Sequence, residues 1–300
     1  MARWKAVPVM GELFALLAAV AFALATVLSR RFMVGPNPVA PEAGVFVSIV
    51  TNVVVFGVLA GFEGARGALS TLTPQSFLLF VLGGLCGTVA GRNLSYQSVL
   101  RIGPSRSTAI RLSNTLFAAL IGLVGLRELP RPGQLVGAAL ITVGLWLVLR
   151  ERAPGSRGPA DPVGVLLAVG GAVGFALGDT LRRAGLQITP SPFVGAAIGA
   201  FTALVVQTGW LALWSRPQAS ERPWRADVLA SALANTAAIL LLFLGLQRSP
   251  VANVAVLYNL QVLLVILLSR WMLRGDEQLG SGLVVGSLVC VAGTAAVLLG

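Results

Sequence analysis

Histidine is missing altogether from the 300 residues. Its absence removes Ser-His-Asp chemistry, imidazole metal ligands and the side chain that usually changes charge near neutral pH. Charge is scarce too: 11% of residues are Asp, Glu, Lys or Arg, against about 25% in a soluble domain. The only two cysteines, Cys86 and Cys290, lie in apolar runs. That excludes a disulfide scaffold and a CxxC metal site and leaves two small packing residues. Acids are outnumbered by bases, 11 to 22, for a net charge of +11. The bases are scattered through short connectors and helix ends, where they anchor spans to lipid headgroups. No basic stripe with interleaved aromatics is present, so nucleic acid is not an expected partner. Nothing resembles a P-loop, and no acid cluster or nucleophile–base pair appears. No catalytic residue, cofactor or metal is therefore expected, and an enzyme is not the expected class.

What is present is apolar length. Hydrophobic residues make up 56% of the chain, too many for a soluble globule, and the bilayer becomes the expected partner. Runs long enough to cross it lie at about 11–32, 43–62, 75–100, 104–126, 132–150, 163–184, 192–215, 226–247, 250–273 and 279–299. Turn signals separate them: Gly35-Pro36-Asn37-Pro38, Pro74, Gly103-Pro104, Pro132-Gly133, Pro190 with Pro192, Pro217 with Pro223, and Ser249-Pro250. The first run follows Arg3 and Lys5 but is too long for a signal-peptide core, so it reads as a retained helix.

The longest polar connector, Arg150 to Asp161, sits in the middle of the chain. The halves on either side echo each other. Phe22-Ala23-Leu24 before Arg30 matches Phe175-Ala176-Leu177 before Arg183. Gly103-Pro104 matches Ser249-Pro250. Glu128 followed by Gly137 and Gly144 matches Glu277 followed by Gly286 and Gly293. The expected organisation is a five-helix repeat at 1–150, a connector at 151–161 and a second repeat at 162–300. Five is odd, so the second half enters the membrane from the opposite side, the inverted plan of many secondary transporters.

The chain resembles the EamA branch of the drug/metabolite transporter superfamily. The resemblance is carried by Ile102-Gly103-Pro104-Ser105-Arg106, Leu116-Phe117-Ala118-Ala119-Leu120, Glu128 and Gly137-Ala138-Ala139-Leu140-Ile141 through Gly144, and more loosely by the segment around Glu277. It implies an all-α membrane protein, with ten helices in two inverted halves around a central cavity. It also implies secondary active transport of a small organic metabolite by alternating access. The same fold could support a lipid-linked metabolite flippase, the alternative reading. The location implied is the inner or plasma membrane with both termini cytoplasmic, although the Lys/Arg distribution does not favour that orientation. The family usually carries a proline before the Leu-Phe segment of span four and an equivalent one in span nine. Here Thr115 and Gln261 hold those places, removing the residue type that kinks both helices.

Polar groups inside the spans need a reason, because an ionisable one costs about 2.5–3.5 kcal/mol on insertion scales. Arg92 and Arg111 each lie about ten residues from the turn near Ile102, so they are level on adjacent antiparallel helices. Thr88, Arg92 and Tyr96 form one expected stripe, and Ser107, Arg111, Asn114 and Thr115 another. Two roles fit the arginines: an anchor for a substrate carboxylate or phosphate, or bonding to backbone and snorkelling. Asn235, Tyr258 and Gln261, with Asn253 and Asn259 nearby, are the expected polar lining from the second half. The expected substrate-binding set is thus Arg92, Tyr96, Arg111, Asn114, Thr115, Asn235, Tyr258 and Gln261. Asp179 precedes Arg182 and Arg183, and reads either as an intrahelical ion pair at a membrane edge or as the candidate site for proton coupling. Glu12, Glu42, Glu128 and Glu277 fall at span ends, where interfacial ion pairs are expected.

Overall fold

The computed structural model describes residues 8–65, 67–126, 132–150, 161–214, 224–246, 248, 257–273 and 280–299. Apart from short turns, these residues are helical. In chain order the helices are α1 (Pro8–Val34), α2 (Pro41–Ala65), α3 (Pro74–Ile102), α4 (Pro104–Arg111), α5 (Asn114–Leu126) and α6 (Pro132–Arg150). They continue as α7 (Pro162–Ile188), α8 (Pro192–Trp214), α9 (Ala226–Leu246), α10 (Gln261–Met272) and α11 (Ser281–Leu299), with a 3-10 turn at Ala68–Thr71. Six of them, α1, α2, α3, α7, α8 and α9, are long and apolar enough to cross a membrane, and shorter apolar helices cover Leu135–Arg150, Leu257–Met272 and Ser281–Val297. The chain is an integral membrane protein. The connector 151–160, Glu128, Glu277, Ser249-Pro250 and Asn253 lie outside the described residues.

Proline sets many of the starts. Pro41, Pro74, Pro104, Pro132, Pro162 and Pro192 each open a helix, where the missing N–H costs nothing and the fixed φ is already helical. Thr73 and Ser76 form a reciprocal capping box at the head of α3. Asp161 caps α7 by accepting from the Val163 amide at 3.0 Å. Gly103 alone joins α3 to α4 and has φ +85°, a backbone that a side chain would strain.

Three departures from regular helix matter for the site. Inside α3, Gly84–Gly91 is π-helical and ends immediately before Arg92. Three glycines in this stretch leave the wider turn free of side-chain crowding. Helix four breaks at Leu112–Ser113, where the amides of Leu112 and Ser113 reach back only three residues, to Ala109 and Ile110 at 3.1 and 3.0 Å. Span nine tightens in the same way at Leu260, whose amide bonds Leu257 at 3.2 Å. Both interruptions occur without proline. Short polar groups beside them, Ser113, Asn114 and Asn259, are of the kind that competes with helical backbone bonds.

Every principal partner comes from the other half of the chain. α1 packs on α9, and α3 packs on α7; α2 faces α8, and α6 faces α11. α10 bridges α1 and α4. Small residues make these approaches close. Ala15, Ala18, Ala19 and Ala23 are fully buried on α1. On the α3–α7 seam a Cβ at Gly178 would lie 2.7 Å from the Gly87 Cα, and one at Gly174 would lie 3.0 Å from the Gly91 Cα. The α6–α11 seam is as tight, since a Cβ at Gly144 would meet the Gly286 carbonyl at 2.6 Å. Such backbone contact is how helices associate where lipid gives no hydrophobic drive between them.

Candidate functional site

The seam between α3 and α7 positions the first charges. Arg182, on α7, lies across Gly83 and Gly87 of α3: a Cβ at Gly83 would stand 2.9 Å from its Cγ, and one at Gly87 would stand 3.0 Å from Nη2. Its Nη2 donates to the Thr88 hydroxyl at 2.8 Å, and its Nη1 pairs with Asp179 at 3.1 Å. Asp179 is nine residues from the end of α7, about 14 Å down the helix axis. The expected intrahelical pair forms with Arg182. The Asp179 side chain is still 62% accessible, so its free oxygen faces open space. Thr26, its counterpart in the first half, spends its hydroxyl on the Phe22 carbonyl at 2.8 Å.

Arg92 is only 7% exposed. Its Nη1 donates to the Ser48 hydroxyl on α2 at 2.9 Å. That is its one hydrogen-bond partner among the described residues, although a guanidinium carries five N–H donors. Arg111 ends α4 at the helix break. Its Nη2 donates to the Gln261 carbonyl oxygen at 2.7 Å, and its guanidinium stacks on Phe175 of α7 at 5.5 Å. The three arginines meet the same stretch of α3: Arg182 bonds Thr88, one turn before Arg92, and Arg111 stacks on Phe175, against which a Cβ at Gly91 would stand at 3.2 Å. No acid among the described residues pairs with Arg92 or Arg111.

Both halves supply neutral groups. Tyr96 is buried, and Ser231 of α9 donates its hydroxyl to the Ala25 carbonyl at 2.9 Å. Ser48, which accepts from Arg92, and Asn52, which accepts from Thr236 of α9 at 2.7 Å, are one turn apart on α2, so Asn235 lies within about a turn of Arg92. Asn235 is 8% exposed, and its Nδ2 has no partner. Tyr258 meets Phe22 edge to face at 5.1 Å and lies within electrostatic reach of Arg92. Asn114 and Thr115 are half-buried just past the break, and the Thr115 hydroxyl donates to Asn114 Oδ1 at 3.3 Å.

The structure brings Arg111 against Gln261, one turn from Tyr258, and sets Phe175, under the Arg111 guanidinium, against Gly91 beside Arg92. Thr88, Arg92 and Tyr96 are all buried, with Thr88 bonded to Arg182 of α7 and Arg92 to Ser48 of α2. Arg182 and Phe175 come to this region from α7, and spacing alone gave no reason to place them there. A second polar cluster also went unread. Asn93 donates to Gln207 of α8 at 2.9 Å, Gln207 donates to the Glu42 carbonyl at 3.3 Å, and Gln97 donates to the Glu42 carboxylate. Glu42 is thus held by amides, not by the interfacial ion pair expected of it. A glutamine within the apolar run of α8 was the available signal.

These features define a polytopic helical membrane protein with arginines set among the helices where its two halves meet. The family model of the EamA-like transporter family matches residues 9–150 and 162–299. The chain belongs to that family, which is one of membrane transporters of the drug/metabolite type. A solved crystal structure of another protein is similar with TM-score 0.65 and 18% identity, over 96% of this chain and 95% of that one. At that identity the likeness shows the fold alone. No curated protein matches the sequence.

Proposed function

We propose that the protein is a secondary active transporter of a small organic anion, carrying its carboxylate or phosphate against Arg92 and Arg111. The observation that carries this reading is a buried guanidinium with one protein acceptor, beside a second that has no acid. Arginine stays charged and matches carboxylate and phosphate geometry. Asn235 offers a further unpaired donor at the same level, and Phe175 and Tyr258 provide aromatic walls for the rest of the ligand. Asp179, open on one side, is the candidate for proton coupling or for a substrate ammonium, as in an amino acid.

Alternating access follows from ten spans in two inverted halves, each helix of one half paired with a helix of the other. The reciprocal α1–α9 and α3–α7 seams support that arrangement, and the proline-free breaks beside Arg111 and Gln261 are natural hinges. An even number of spans puts both termini on one side of the membrane, the cytoplasmic one in this proposal. A flippase for a lipid-linked substrate would need an apolar opening beside the arginines. An apolar recess of about 310 Å³ lies between α2, α3 and α8, lined by Val53, Gly57, Phe77 and Phe201 among others, and no arginine borders it. A water-soluble substrate fits better.

The test is transport by purified protein in liposomes, with a metabolite panel chosen by thermal stabilisation. Stabilisation by acids or phosphates, lost in both Arg92→Gln and Arg111→Gln, supports the reading. Ligands that stabilise all three proteins equally make the arginines structural.

A further inference from the structure

We infer that the ligand this chamber is built for carries two negative charges. The inference rests on the anion reading above and goes further by naming the charge class. Its basis is the balance of fixed charge. Three guanidiniums converge on one stretch of α3: Arg92 belongs to it, Arg182 donates to Thr88 one turn earlier, and Arg111 stacks on Phe175, whose ring lies against Gly91. One carboxylate among the described residues, Asp179, pairs with one of them, Arg182. Asp179 is bonded to Arg182, and Arg182 spends a second donor on Thr88. That leaves Arg92 and Arg111 with no acid among the described residues. Their polar partners, Ser48 and Gln261, are neutral.

Two uncompensated positive charges in a poorly solvating interior repel each other and favour whatever neutralises both. A monoanion would leave one guanidinium uncompensated. A neutral zwitterion could set its ammonium on the open oxygen of Asp179 but brings no net negative charge, and leaves the excess of guanidinium charge in place. A dicarboxylate or a phosphate monoester supplies both charges. Its several acceptor oxygens also suit the remaining N–H groups of Arg92 and Arg111 and the unpaired Asn235 Nδ2. The Arg111–Phe175 and Phe22–Tyr258 contacts each join a helix of one half to a helix of the other.

The experiment uses purified full-length protein and matched probes at constant ionic strength: succinate against succinamate, and methyl phosphate against dimethyl phosphate. Half-saturating concentrations are read from thermal stabilisation and from tryptophan fluorescence. The dianion of each pair is expected to bind at least tenfold tighter. For methyl phosphate, binding is expected to strengthen between pH 5 and pH 7, as its second proton leaves near pH 6, while the arginines stay charged throughout. In Arg92→Gln or Arg111→Gln, each monodisperse on gel filtration, the tenfold preference is expected to vanish. Equal binding of the two members of each pair overturns the dianion inference and leaves the anion site standing. Binding of a zwitterionic amino acid in preference to succinate and methyl phosphate also overturns it. If no anion binds wild type while another ligand does, the anion reading itself falls.

Discussion

Gln261 follows the proline-free break of span nine, and it accepts from Arg111 at 2.7 Å. The bond joins two interrupted helices, one from each half. It also leaves Arg111 positively charged and open to a ligand, because the acceptor is neutral. Gln261→Glu should therefore cancel one of the two free charges and weaken anion binding at least tenfold, measured by ligand-induced thermal shift. Unchanged affinity would detach Arg111 from the ligand. Gln261→Leu removes the acceptor, and a lost bond to a charged group is worth about 1.5–3 kcal/mol. Asp179 belongs to the same scale. If it carries the coupling proton, Asp179→Asn should abolish the pH change in the liposome lumen that accompanies transport. A proton signal equal to that of wild type would remove Asp179 from coupling.

At the scale of the helices, glycine decides where backbones touch. Gly178 stands against the Gly87 Cα at a distance that leaves no room for a side chain. Gly57 and Gly61 of α2 have open space around the position of a Cβ. Gly178→Val should push α7 off α3, break the Arg182–Thr88 bond and lower the melting temperature. An overpacked contact of this kind costs about 1–3 kcal/mol or more. Gly57→Ala should be tolerated, because it adds helix propensity and meets nothing. Similar melting temperatures for the two variants would argue that the α3–α7 seam is looser than drawn. The stripe logic that placed Thr88 with Arg92 and Tyr96 assumed 3.6 residues per turn throughout. The π-helical Gly84–Gly91 breaks that assumption just where the polar residues begin. Sequence spacing could put Arg92 inside a span but could not aim it.

For the whole molecule, the proposed inversion of the halves makes a prediction about sidedness. A reporter fused at Gly300 and one inserted in the connector near Gly155 should lie on opposite faces of the membrane. Reporters on the same side would rule out five spans per half. That the chain crosses a membrane repeatedly, and that it has two related halves, was readable from the sequence. Apolar run length and turn residues are local properties, and a duplication repeats them in order. Charge within the spans was readable as well, because Arg92, Arg111 and Asp179 interrupt apolar runs and so stand out wherever they point. Only the tertiary structure decided what those charges face. Arg182 joins them from α7, 90 residues along the chain from Arg92. Gln261 reaches Arg111 from the other half, Ser48 takes Arg92, and Glu42 turns out to be held by amides. The physical reason is range. A helix's length and polarity are set within a few turns of chain, whereas the charge balance of a chamber is a sum over residues from five helices and depends on how those helices rotate against one another.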